Sequence, residues 1–133
     1  MIKVAIVDDE AVFFDVLKDM LNRIDDRFKV VGTARSKQEA FVLMKDTNPD
    51  VVFLDINMPR GSGLELLDLF PIRSFETIFI TGYATLEPFT RKYSHFGFLT
   101  KPIDNDDLKK IVADLLIKFW KDGKKFIQNE NML

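Results

Sequence analysis

The apolar runs of this chain do not alternate with polar residues, and most of them stop abruptly at an acid, hydroxyl or ammonium group. Val51-Val52-Phe53-Leu54 is continuous and stops at Asp55. Ile2 to Val7, interrupted only by Lys3, stops at Asp8-Asp9-Glu10. Thr77 to Ile80 stops at Thr81-Gly82, and Phe96 to Leu99 stops at Thr100-Lys101-Pro102. A further Val-rich run, Phe28 to Ala34, ends blandly at Arg35. Continuous apolar strands are buried on both faces, which requires a parallel sheet with helices on each side.

The intervening segments carry helical spacing. Phe13, Val16, Leu17, Met20, Leu21 and Ile24 recur along one face, with Asp15, Lys18, Asp19, Asn22 and Arg23 between them. Ser36 and Glu39 read as a capping box that opens a helix to about Asp46, broken by Asn48-Pro49. A short helix is expected over Leu64 to Phe70, and a weaker one after Pro88, a residue suited to a first turn. Asp104 is expected to cap a last helix to about Lys121, ended by Gly123. The reading is an α/β chain of five strands alternating with five helices. Residues 1–121 form one domain, and 122–133 a polar tail or linker.

Composition narrows the chemistry. The 133 residues suit one domain with a sizeable core. With 19 Lys+Arg against 21 Asp+Glu, the chain has no bulk positive charge for nucleic acid. No cysteine is present, which excludes disulfides, thiolate metal sites and thiol nucleophiles. One histidine excludes a multi-histidine metal site. No apolar run approaches the roughly 20 residues of a membrane span. The first residues lack the features of a signal peptide. The expected compartment is the cytoplasm, without membrane contact.

In an open parallel α/β sheet, ligands bind outside the carboxyl ends of the strands. Four of the five ends carry Asp8-Asp9, Asp55, Thr81 and Lys101. If the first and third strands are neighbours, three carboxylates converge. Two unit charges about 4 Å apart cost roughly 4 kcal/mol at an effective dielectric of about 20, so such a group loses a charge or recruits a cation. Hard oxygen donors too few for a full cage favour Mg²⁺, which shares its shell with water and phosphate. Lys101 adds a positive charge and Thr81 a hydroxyl. The set describes a phosphoryl pocket. A carboxylate can accept a phosphoryl group covalently, and Asp55 is the natural candidate.

Asp8-Asp9, Asp55-Ile56-Asn57-Met58-Pro59 with Gly63, Thr81-Gly82 and Lys101-Pro102 together resemble the receiver domain of two-component response regulators, over about residues 1 to 121. The resemblance implies a flavodoxin-like, doubly wound (βα)5 fold with strand order 2-1-3-4-5. It implies Asp55 as phosphoacceptor, and Mg²⁺ held directly by Asp9 and Asp55, by Asp8 largely through water, and by the backbone carbonyl of Asn57. Thr81 and Lys101 would bind the phosphoryl oxygens. Phe98 falls at the rotameric switch position, and Lys101-Pro102 would be a cis peptide that aims the ammonium inward. Gly82 would leave room for the phosphodonor, a histidine kinase or phosphotransfer protein. Phosphorylation would then bias the face made by the fourth helix, fifth strand and fifth helix, which controls an output that includes transcription in some family members.

Three departures from the family pattern matter. The loop after Asp55 reads Met58-Pro59-Arg60-Gly61-Ser62-Gly63. Position 98 is Phe where Tyr is common, so burial of the ring is the expected readout. Tyr83 stands where the family tunes water access, and its bulk is expected to slow dephosphorylation. The competing reading is a Mg²⁺-dependent phosphatase or phosphotransferase with an Asp nucleophile, but such enzymes carry a general acid two residues on, where this chain has Asn57. The lone His95 is read as a surface or half-buried residue, not a phosphocarrier. On the last helix, Leu108, Ile111, Val112, Leu115 and Phe119 form the core stripe, while Ala113, Ile117 and Trp120 lie nearly opposite. That opposite side is expected to meet an output module or a second copy.

Overall fold

In the computed structural model, the described residues are 1–58, 63–83, 87, 88, 90, 91 and 93–123. Five strands are present: β1 (Ile2–Val7), β2 (Phe28–Ala34), β3 (Val51–Asp55), β4 (Glu76–Thr81) and β5 (Gly97–Thr100). The helices among the described residues are α1 (Ala11–Ile24), α2 (Lys37–Thr47), α3 (Gly63–Asp68) and α4 (Asn105–Lys121). The strands form one parallel sheet in the order β2-β1-β3-β4-β5. This is the expected flavodoxin-like arrangement.

Every residue of β3 is buried, as are the apolar residues of β1. These central strands lie between two apolar layers, so alternate residues feed opposite cores. Ile2, Val4, Ile6, Val51, Phe53, Ile78 and Ile80 join Leu17 and Leu21 of α1 and Leu108, Val112, Leu115 and Phe119 of α4. Ala5, Val7, Val52, Leu54 and Phe79 join Ala40 and Met44 of α2 and Leu66 and Leu67 of α3. The outer strands are less covered: β2 exposes Lys29 and Thr33, and β5 exposes Thr100 and leaves Gly97 and Phe98 half-buried. An edge strand has a neighbour on one side only, which accounts for the difference. Between β1 and β2 the register shifts after Val4, so Val30 pairs with Val4 but Gly32 with Ala5.

The local signals mostly act as expected. The Ser36 hydroxyl accepts from the Glu39 N–H at 3.1 Å. The reciprocal arm of the box is displaced, because the Glu39 carboxylate meets the N–H of Arg35 at 3.5 Å instead of that of Ser36. Asn48 ends α2 in the left-handed region with φ 48°, a conformation asparagine tolerates better than most residues. Asp104 caps α4 by accepting from the N–H groups of Asp106 and Asp107, and Gly123 follows with φ +73°. The fourth of the five expected helices, placed after Pro88, falls partly on Phe89 and Lys92, which lie outside the described residues. Glu87, Pro88 and Thr90 form a 3₁₀ turn in which the Thr90 hydroxyl donates to the Glu87 carbonyl at 2.7 Å.

His95 is half-buried: its Nδ1 lies 2.8 Å from the Tyr93 carbonyl and its ring 5.0 Å from that of Phe79. On α4, Leu108, Val112, Leu115 and Phe119 are buried, whereas Ile117 and Trp120 are 54% and 62% exposed. Among the described residues, no helix is long and apolar enough to cross a membrane.

Candidate functional site

The parallel ladder brings four strand ends to one edge of the sheet. Beyond β1, the Asp8 N–H donates to the Ala34 carbonyl at 2.9 Å. The Asp8 Oδ1 accepts from the Glu10 N–H at 2.8 Å, which turns the chain into α1. Asp55 is the last residue of β3 and pairs in register with Ile80. Thr81 ends β4 opposite Thr100 of β5, and the Lys101 N–H donates to the Thr81 carbonyl at 2.7 Å. The Lys101–Pro102 peptide is cis, as expected.

Lys101 sits where the carboxylates meet. Its Nζ lies 2.5 Å from Asp8 Oδ2, 2.9 Å from Glu10 Oε1 and 3.6 Å from Asp55 Oδ2. The same nitrogen lies 4.6 Å from the centre of the Phe13 ring, a favourable site for a cation. Asp8 is fully buried and Asp55 is 4% exposed. Burial opposes ionisation of both. It pushes Asp8 upward, and the pull of Lys101 and the Glu10 N–H does not cancel it. It pushes Asp55 to about 6, against the pull of the Asn57 N–H, with the Asp8 charge adding to the rise. Glu10 moves the other way, held down by its hydrogen bond to Lys101. For Lys101, burial works against the charge, but the close contact with Asp8, the hydrogen bond to Glu10 and the charges of Asp55 and Asp8 prevail, and it is raised.

Asp55 also closes its own turn, with Oδ1 accepting from the Asn57 N–H at 3.0 Å. The Asn57 side chain is exposed. Gly63 packs against this turn: a Cβ there would lie 2.3 Å from the Asp55 carbonyl oxygen and 2.8 Å from Leu54 Cγ, so no larger residue fits without moving the turn. The buried Thr81 hydroxyl accepts from the Tyr83 N–H at 3.1 Å. Asp9, Glu10, Asp55, Asn57, Thr81, Gly82, Tyr83 and Lys101 line one cleft of about 380 Å³. A Cβ on Gly82 would meet nothing within 4 Å. Phe98 stands apart from the cleft lining, half-buried against the apolar layer shared with α2 and α3.

The donor set fits a hard divalent cation. Asp8, Asp9 and Glu10 each offer a carboxylate oxygen, all within 4.8 Å of one another. Asp8 Oδ2 is buried and receives no hydrogen bond in good geometry; its contact with Lys101 is a charge contact. An oxygen without a directed donor in an acidic cluster suits a metal ligand. Sequence reasoning placed Asp8, Asp9, Asp55, Asn57, Thr81, Gly82, Tyr83 and Lys101 near one another, and the structure brings them together. It missed Glu10 as a partner of Lys101 and Phe13 beneath it. Both follow Asp9 at the start of α1, the only local signal available.

The sequence matches the family profile of the response regulator receiver domain over residues 4–113. A response regulatory protein of Staphylococcus epidermidis, not characterised further, is 34% identical over 120 residues, 89% of this chain and 47% of that protein. The transcriptional regulatory protein BtsR of Salmonella typhi is 37% identical over 116 residues, 86% of this chain and 48% of that protein. The chain thus spans about half the length of the curated relatives it matches. Among solved structures, the REC domain of AraT, a response regulator from Geobacillus stearothermophilus, superposes with a TM-score of 0.80 at 29% identity, covering 92% of this chain and 98% of that one.

The burial of Asp55 has a stability consequence. Its folded value of about 6 lies above the ordinary 3.8. The folded state therefore holds the proton more tightly, and this contribution is full below about pH 4 and lost as pH rises through about 6. Without divalent cations at about pH 7, Asp55→Asn is expected to raise the unfolding free energy by ~2 kcal/mol, a gain that shrinks toward pH 4. Urea unfolding at the two pH values measures it. Equal or lower stability of the variant at neutral pH contradicts the account.

Proposed function

The chain belongs to the response regulator receiver domain family of two-component signalling, and from that membership we propose that Asp55 is its phosphoacceptor. The observation that carries this reading is the juxtaposition at the end of β3: a buried Asp55 in a cleft with Asp9, Thr81 and Lys101, 3.6 Å from the ammonium. A receiver is a signalling module, so chemistry here means its own phosphorylation and dephosphorylation. A Mg²⁺-dependent phosphatase is the poorer reading, because Asn57 offers no proton to a leaving group.

Mg²⁺, held by Asp8, Asp9, Asp55 and the Asn57 carbonyl, would supply neutralisation of the charge developing on the transferred group. The chain's own residues do the rest. A carboxylate oxygen of Asp55 attacks phosphorus, and the new O–P bond forms as the P–N bond of a phosphohistidine, or the P–O bond of an acyl phosphate, breaks. The leaving group keeps the bonding electron pair. Lys101 and the Thr81 hydroxyl then hold the phosphoryl oxygens. The product carries a charge of about −1.5 to −2, which draws both side chains inward. Movement of Thr81 releases space for the half-buried Phe98, biasing the β5–α4 side of the domain between two packings.

On this reading the donor is a sensor histidine kinase or phosphotransfer protein. The protein works in the cytoplasm, with 1–121 as the receiver and 122–133 as a tail or linker toward an output, transcription control among the options. The exposed Ile117 and Trp120 support α4 as the contact for that output or for a second copy. Ile117→Glu with Trp120→Ala is expected to change oligomeric state or partner binding by light scattering and pull-down, and no change rejects that contact.

Intact-mass measurement after incubation with acetyl phosphate and Mg²⁺ tests the assignment. Wild type gains one phosphoryl mass and Asp55→Asn gains none; an adduct that persists in the variant places the acceptor elsewhere. Followed over time, the adduct is expected to decay faster in Tyr83→Ala, because Tyr83 lines the cleft through which water arrives. Equal decay removes that role from Tyr83.

A further inference from the structure

Glu10 offers one oxygen to the acidic cluster but has no part in the transfer step described above, yet it holds a specific position. It is the N-cap residue of α1 and its side chain makes no capping hydrogen bond. Residues at this position ordinarily turn a side-chain oxygen onto the first N–H groups of the helix. The Glu10 carboxylate instead reaches across the cleft to Lys101, 91 positions away in sequence, and accepts a hydrogen bond from Nζ at 2.9 Å. Its side chain is 63% exposed, so packing does not force it there.

The three carboxylates around Lys101 differ in freedom. Asp8 is buried and tied to its own turn. Asp55 is tied to the Asn57 N–H and is the most distant of the three from Nζ, at 3.6 Å. Glu10 is the exposed and adjustable member. We propose that Glu10 is a positioning residue that holds the Lys101 ammonium toward the mouth of the cleft, and so sets how readily that ammonium passes to a phosphoryl group on Asp55. The inference rests on Asp55 being the phosphoacceptor and adds to it a built-in competitor for the lysine. An ammonium divided between Glu10 and the phosphoryl oxygens neutralises the transferring group less completely than one committed to it.

Glu10→Gln keeps the length of the side chain and removes the charge. With Mg²⁺ saturating and acetyl phosphate as donor, the variant is expected to load about two- to fivefold faster than wild type, the range set by an exposed ion pair. The gain should vanish in a Lys101→Met background, because it acts through the lysine. A rate equal to or below wild type overturns the proposal. So does a gain of the same size in the Lys101→Met background, which assigns the effect to repulsion between Glu10 and the anionic donor. Should Lys101→Met fail to load at all, proton exchange at the Lys101 ammonium, read by nitrogen-15 NMR of unphosphorylated protein, decides. Faster exchange in Glu10→Gln supports the proposal and identical exchange rejects it. If wild type itself does not load, the phosphoacceptor reading fails and this one with it; if wild type loads and Glu10→Gln matches it, only this one fails.

Discussion

The site depends on one electrostatic arrangement: buried carboxylates that a single ammonium holds together. Asp8 is fully buried, Asp55 is nearly so, and the Lys101 Nζ lies within 3.6 Å of both. Without that charge, two acids at neighbouring strand ends repel each other in a poorly solvated place. The lysine satisfies them incompletely. Asp8 Oδ2 lacks a directed hydrogen bond, and Asp55 is pushed to about 6 despite the nearby cation. The cluster is left short of positive charge, a condition that suits a divalent ion.

The fold creates that condition. In a parallel sheet all carboxyl ends of the strands point the same way, so polar residues that stop separate apolar runs meet at one edge. The order β2-β1-β3-β4-β5 puts Asp8 and Asp55 on adjacent strands, and places Thr81 and Lys101 on the other side of β3. The Lys101 N–H bond to the Thr81 carbonyl and the Ile56 N–H bond to the Ile80 carbonyl carry the ladder past the last paired residues, so the functional side chains leave a rigid edge. Gly63 completes the support by letting α3 approach the Asp55 carbonyl closely.

Much of this was legible in the amino-acid sequence, and the reason is physical. An apolar strand that must be covered on both faces leaves a continuous run, and a charge ending it belongs to an edge. That logic found Asp8, Asp55, Thr81 and Lys101. It worked less well for β5, which runs from Gly97 to Thr100 and so lies one residue later than expected, whereas β2 keeps its expected bounds although its middle positions are only half-covered. It could not find the partners of Lys101. Which carboxylate an ammonium chooses depends on distances set by the tertiary fold, so the hydrogen bond to Glu10 and the ring of Phe13 were invisible. The capping box on α2 shows the same limit, since Ser36 acts as its motif requires while Glu39 turns to the N–H of Arg35. His95 needed only its surroundings: a carbonyl and a ring account for it.

The account stands on the claim that these acids form a cation site around Asp55. Calorimetric titration of Mg²⁺ into the metal-free protein at neutral pH tests that claim most directly. Saturable uptake of a single ion per chain, lost or clearly weakened in Asp9→Asn, is the predicted result. Absence of uptake by the wild type, or uptake unaffected by that substitution, contradicts it.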